Sequence, residues 1–137
     1  PGQGARVITV RPARSEDTAR MLEILRENEQ ILDGVDYGTW SHPTLVAVKD
    51  GQVEGFIQAH LGAPYAVVTE LCVSRTHARK GYGVKLADAM ELMLRAAGVQ
   101  TYVTYASDRN GRMRDMLGRY GLDETGLGVG FVRRLKT

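Results

Sequence analysis

Around residue 80 the chain reads Arg79-Lys80-Gly81-Tyr82-Gly83 and then enters a stretch with helical spacing of apolar residues. Glycines let a backbone come close to a ligand. Free N–H groups and the positive end of the helix dipole attract an anion at such an entry. Arg79 and Lys80 add fixed positive charge beside it, so the chemistry indicated is capture of a phosphate or pyrophosphate. The loop is not a dinucleotide fingerprint, because the third glycine is missing and no acid ends the following strand near Gln100–Ala106. It is not a Walker A loop either, because no Gly-Lys-Ser/Thr follows. On residue types alone, a glycine-rich helix entry with no ligand stays open beside the anion reading.

Other reactive side chains are few. Cys72 is the single cysteine, which excludes a disulfide framework and a multi-cysteine zinc site. A lone thiol fits a reducing, cytoplasmic compartment. His42, His60 and His77 lack metal-ligand spacing and read as surface or loop histidines, so no metal is expected. Charge is unevenly placed. Glu23, Glu27, Glu29, Asp33 and Asp36 stand against Arg26 alone, whereas Arg75, Arg79, Lys80, Arg109, Arg112, Arg114 and Arg119 form a basic set. That set suits a phosphorylated ligand or a nucleic-acid backbone. A net charge of +2, 7% aromatic residues and the lack of a nucleic-acid motif rank the second option below the first.

The elements that must position these residues follow from periodicity. Val7–Val10 is β-branched and reads as a strand. Ser15 is a plausible N-cap for a helix over residues 16–32, interrupted near Asn28. Leu45–Val48 and Val53–Ala59 are strands joined by an Asp50-Gly51 hairpin turn, and Ala66–Val73 is the next strand. Gly81–Ala97 is the strongest helix, with Val84, Ala87, Met90 and Leu94 on one face and Lys85, Asp88, Glu91 and Arg95 on the other. Thr101–Tyr105 is a strand. A helix capped by Asp108 carries Met113, Met116, Leu117 and Tyr120 to a stop at Gly121. Short strands near Leu122–Thr125 and Val129–Leu135 complete the order β-α-β-β-β-α-β-α-β-β. The fold class is therefore α/β, with one mixed central sheet flanked by helices: an antiparallel N-terminal meander and one parallel crossover.

Val73-Ser74-Arg75-Thr76-His77-Ala78-Arg79-Lys80-Gly81-Tyr82-Gly83-Val84-Lys85-Leu86 resembles the acyl-CoA loop of the GNAT N-acetyltransferases. That family's pattern is a strand ending in Val, a short loop, then Arg/Gln-x-x-Gly-x-Gly/Ala opening a helix. Asn110, Met113, Met116, Leu117, Gly121 and Leu122 fall at the spacings of its C-terminal pattern, and Asp50–Ile57 looks like its second and third strands. The resemblance covers roughly residues 7–135. It implies a single-domain GNAT fold and an N-acetyltransferase, in which a primary amine attacks the thioester of acetyl-CoA directly in a ternary complex. It further implies that the strand Val68–Val73 splays from its neighbour, and that main-chain N–H groups near Leu71, Cys72 and Val73 polarise the thioester carbonyl. Ala78, Arg79, Lys80, Gly81, Tyr82, Gly83 and Asn110 complete the implied cofactor set. Glu70 is the first candidate for a base toward the amine and Glu54 a weaker one. The acidic segment would favour a cationic amine, with Tyr37 and Trp40 as an apolar or cation–π wall.

Two positions depart from the family. Ala78 stands where Arg or Gln is usual. Leu117 stands where many members have a tyrosine that protonates the leaving thiolate. A thiol pKa near ~8.5 makes the thiolate a tolerable leaving group, and Tyr120 or, second, Tyr105 can offer a hydroxyl instead. Cys72 has no histidine placed beside it, so it reads as a small filler ahead of a nucleophile. These departures keep a second reading open, a CoA-binding regulatory module with weak or no catalysis, and the arginine cluster keeps a third, a nucleic-acid-associated protein.

A chain of 137 residues with 43% hydrophobic and 25% charged residues suits one domain with its own core. Residues 1–6 read as a flexible leader and 7–137 as the domain. No apolar run approaches the ~20 residues of a membrane span, and the first residues lack a secretory signal pattern. The expected partner is a small-molecule or peptide amine, not a membrane. A homodimer stays open, dimers being common in the resembled family.

Overall fold

The computed structural model describes residues 7–28, 43–62, 65–78, 80–106, 111–124 and 130–135. The elements are β1 (Thr9–Pro12), a 3-10 turn (Ser15–Asp17), α1 (Thr18–Glu27), β2 (Thr44–Lys49), β3 (Gln52–His60), β4 (Ala66–Val73), a 3-10 turn (Arg75–His77), α2 (Tyr82–Ala96), β5 (Thr101–Tyr105), α3 (Gly111–Tyr120), β6 (Asp123–Glu124) and β7 (Gly130–Arg134). One seven-stranded sheet runs β1-β2-β3-β4-β5-β7-β6. Among the described residues only β4 and β5 pair in parallel, across the α2 crossover. The expected element order and mixed sheet are the observed ones.

Several local expectations shift. β1 pairs over Thr9–Pro12 instead of Val7–Val10. Pro12 lacks an N–H, which is tolerated on an edge strand. Ser15 is not the cap of α1. The Asp17 carboxylate instead accepts the Arg14 N–H at 2.7 Å and both Arg11 guanidinium nitrogens at 2.8 and 3.0 Å. Those charge-assisted bonds to Arg11 hold the Asp17 pKa below the usual carboxylate range. α1 ends at Asn28, whose side-chain N–H bonds the Ile24 carbonyl at 2.8 Å. Asp50 and Gly51 adopt φ of +52° and +77°, the positive pair that a two-residue hairpin turn needs.

Side chains pack on both faces of the sheet. On one, Met21, Ile24 and Leu25 of α1 meet Val46, Val53, Phe56 and Cys72. On the other, Leu86, Met90 and Leu94 of α2 meet Ile57, Val68, Tyr102 and Phe131. Each large apolar side chain buried this way contributes about 1.5–3 kcal/mol before entropy is counted. The buried face of α2 differs from the expected stripe. Val84 is exposed, while Glu91 is buried. Glu91 is tolerated inside because Tyr102 Oη donates to it at 2.7 Å and Arg133 Nε lies 3.3 Å away. Arg95, one turn on, is more distant at 3.6 Å. No described helix is long and apolar enough to cross a membrane.

Candidate functional site

The central feature is the parting of β4 from β5. The two strands pair at Ala66, Val67 and Val68 and no further. Thr104 Oγ1 donates to the Val68 carbonyl at 2.9 Å, at the last joint before they separate. Beyond it, Glu70–Val73 pair with no strand but β3, and their other edge borders a gap. The cause is local. β3 and β4 slip register between Gln58 and Ala59, which leaves Thr69 as an extra residue. Such a bulge bends the strand and sharpens its twist. It also resets which way the side chains point. Ala66, Val68, Leu71 and Val73 belong to the α2 layer, whereas Cys72 belongs to the α1 layer. Glu70, two residues from Cys72, shares its face.

The gap leads into a cavity between β4, β5, α2 and α3, with apolar walls from Ile57, Val68, Met90, Met113 and Leu117 and polar ones from Glu70, Glu91, Tyr102, Tyr105 and Tyr120. Burial pushes the Glu70 pKa upward. Its carboxylate has no hydrogen-bond or ion-pair partner among the described residues. Tyr120 reaches the cavity from α3, but its hydroxyl donates to Asp88 at 2.5 Å and Arg133 lies 5.2 Å over its ring. Burial and the Asp88 carboxylate push the Tyr120 pKa up. Tyr105 is exposed at the cavity edge. Leu117 is buried in the cavity wall.

Beside the gap stands the start of α2. Gly81 precedes it with φ +86°, a left-handed conformation that a Cβ would strain. The first helical bond runs from the Lys85 N–H to the Gly81 carbonyl at 3.1 Å. The amides of Tyr82, Gly83 and Val84 therefore have no partner within the helix, and no side chain of the described residues caps this end. Lys80 is exposed beside it. An unfilled row of amides at the positive end of a 15-residue helix, next to a lysine, fits a pyrophosphate. Cα geometry at Gly83 is less restrictive, since an added Cβ would meet only the Met116 side chain at 3.6 Å.

Leu71, Val73, Ala78, Lys80, Gly81, Tyr82 and Gly83 thus lie along one path, from the gap to the start of α2. Arg79, Asn110, Tyr37 and Trp40 fall outside the described residues, as do Arg109, His42 and the caps expected at Asp108. Cys72 packs under α1. It is buried, its Sγ lies 3.6 Å from the Ile24 carbonyl, and burial pushes its thiol up to about 12. A thiol held protonated in this way is packing, not a nucleophile.

Glu54 also stands apart from the cavity. It is buried, and Arg20 Nη2 lies 2.7 Å from its Oε1. Ser74 Oγ donates to its Oε2 at 3.2 Å, and His77 Nδ1 contacts the same oxygen. Serine, histidine and glutamate together have the residue types of a hydrolytic triad. Here Ser74 Oγ also meets His77 at Nδ1, at 3.1 Å, and Ser74 is fully buried. One histidine nitrogen serves both partners, so no activated nucleophile results. Nothing in spacing marked this cluster, because its members come from α1, β3 and the loop after β4. The basic set is likewise partly committed: Arg114 bonds Glu124 at 2.8 Å and lies 5.0 Å over Phe131.

The model of the Acetyltransferase (GNAT) family matches residues 10–122. No curated protein is recognisably similar in sequence. Solved structures share the fold. Ard1 from Thermoplasma volcanium superposes with a TM-score of 0.83 at 17% identity, covering 95% of this chain and 99% of that one. The PaiA N-acetyltransferase from Thermoplasma acidophilum, solved in complex with coenzyme A, gives 0.79 at 18% identity, covering 93% and 99%. The ribosomal-protein-S18-alanine N-acetyltransferase from Escherichia coli gives 0.78 at 14% identity, covering 96% of each chain.

Proposed function

The chain belongs to the acetyltransferase (GNAT) family, and from that premise we propose that it moves an acetyl group from acetyl-CoA to a primary amine. The observation that carries the reading is the parting of β4 and β5 after Val68, beside the uncapped start of α2. Bound acetyl-CoA supplies the thioester. The amides of Tyr82, Gly83 and Val84, with Lys80, receive its pyrophosphate, and the open edge of Leu71–Val73 pairs with the pantetheine amides. An N–H from that edge, aimed at the thioester oxygen, stabilises the charge that develops on attack.

Glu70 takes the proton of the attacking amine. Its raised pKa brings it closer to working pH, where a base is most useful, and such help is typically worth ~10²–10⁴-fold. Leu117 cannot protonate the leaving thiolate. Of the two tyrosines at the cavity, Tyr105 has no hydroxyl partner among the described residues while Tyr120 is bound to Asp88. The donor is therefore placed first on Tyr105 and second on Tyr120. The acceptor is a small-molecule or peptide amine.

Leu117 in the cavity wall and the engaged Tyr120 hydroxyl favour a second reading, a CoA-binding module with little catalysis. Two measurements decide. Under both readings acetyl-CoA at 100 times Kd stabilises the fold by about 2.7 kcal/mol, a rise in melting temperature of several degrees. No rise at saturating acetyl-CoA overturns both. Thiol release that depends on an added amine, over a panel of polyamines, amino acids and peptides, identifies the enzyme; binding without release identifies the module.

A further inference from the structure

We propose that Glu54 is a positioning residue for the anion cradle at the start of α2, acting through His77. The inference rests on the functional reading above. Glu54 is remote from the cavity wall and lies on β3, yet its carboxylate gathers groups from two other parts of the chain. From α1 comes Arg20, which also bonds the Val53 carbonyl at 2.9 Å through Nε. From the loop after β4 come Ser74 and His77. The Ser74 N–H adds a backbone bond to the Glu54 carbonyl at 2.8 Å.

His77 carries the constraint onward. Its ring lies 5.0 Å from that of Tyr82, tilted by 54°. Tyr82 is the first residue of α2 and its side chain is buried, so the position of His77 fixes where the helix begins. The first amides of α2 are the proposed phosphate donors. The helix before the loop is tied to the same loop twice more. Glu27 accepts the Arg75 N–H at 3.1 Å, and Asn28 Nδ2 donates to the Val73 carbonyl at 2.9 Å. Glu54 is the buried member of this set, and it binds α1 and the loop at once. Without its charge, Arg20 keeps Glu23, Glu27 and the Val53 carbonyl but is released from β3's carboxylate, and His77 loses the group that orients its ring. The loop then samples other arrangements, and the amide row is met preformed less often.

The test compares E54Q, E54D and E23Q with the unmodified protein. E23Q removes an exposed partner of the same arginine, 3.1 Å away, without touching the loop. CoA affinity is measured by calorimetry and the acetyl-CoA KM and kcat by amine-dependent thiol release. E54Q is expected to raise the Kd for CoA and the KM for acetyl-CoA about tenfold, with kcat at saturation changed less than threefold. E54D is expected to recover part of the loss and E23Q to show none. S74A and H77A, which keep the α1 ion pair, are expected to weaken CoA binding severalfold and serve if E54Q does not fold. Folded E54Q, S74A and H77A that bind CoA as the unmodified protein does overturn the role of Glu54. An equal drop in kcat with KM unchanged also overturns it. Failure of the unmodified protein to bind CoA overturns the functional reading itself, and this inference with it.

Discussion

The first half of β4 and its second half have opposite surroundings. Ala66–Val68 pairs with β5 throughout and with β3 at Val67 and Val68, and sends Ala66 and Val68 into the core under α2. Glu70–Val73 pairs with a strand on one edge only, that of β3, and its other edge borders the gap. One extra residue, Thr69, separates them. A strand that is closed on both sides stabilises the sheet but has no free donors. A strand that leaves its neighbour gives up hydrogen bonds to water or ligand, and gains a row of amides fixed by the sheet behind it. The closed half makes the open half rigid enough to aim.

The largest expected effect breaks the closed half. V68D puts a charge into the core without a partner, which costs on the order of 3–5 kcal/mol. Urea denaturation at neutral pH should show a protein unfolded or nearly so; a loss below 1 kcal/mol would mean that this half is not the anchor.

Next comes Glu70 in the open half, which should separate activity from stability. E70Q is expected to lower kcat by 10²-fold or more, in the range of general-base effects. The pH profile carries the sign. Burial raises the Glu70 pKa, so the unmodified enzyme gains activity as pH rises through that value and loses it below. E70Q should lack this acid limb. Stability runs the other way. A carboxyl whose folded pKa is raised favours folding below its unfolded pKa near ~4.3, and that contribution disappears as pH rises through the folded value. E70Q should therefore melt at or above the temperature of the unmodified protein at neutral pH. A Glu70 that stabilises the fold would give the reverse.

The smallest effect concerns Cys72, which belongs to the open half but faces α1. C72A removes one buried sulfur against Ile24 and is expected to cost about 1 kcal/mol with kcat/KM within twofold. A tenfold loss of activity in a folded C72A would give the thiol a chemical role and undo its assignment as packing.

Much of this was legible in the chain. The Asp50-Gly51 turn, the helix entry at Gly81, the break at Asn28 and the element order all follow from local rules: positive φ at a hairpin, a left-handed residue before a helix, an amide side chain that bonds back to the helix. Such rules act over a few residues, so a sequence carries them whole. Gly81 was singled out for its freedom and adopts φ +86°. The path from Leu71 to Gly83 was readable for the same reason, being nearly continuous in sequence.

What local rules could not supply were partners from distant segments. Glu91 was placed on the outer face of its helix by periodicity, and lies inside because Tyr102 and Arg133 satisfy it. Glu54 was considered as a base, and its charge is instead committed to Arg20, Ser74 and His77. Tyr120 was read from its spacing to Leu117, but Asp88, thirty-two residues earlier, holds its hydroxyl. The bulge at Thr69 decided most. It requires β3 as well as β4, and it turns Leu71 and Val73 to the α2 layer and Cys72 to the α1 layer. Sequence by itself determined which elements form, their order, and the glycine-led entry to α2. Tertiary structure alone decided where β4 opens, that Glu70 has no partner among the described residues and that Glu54 and Glu91 are committed, because a charge takes its role from neighbours the fold brings to it.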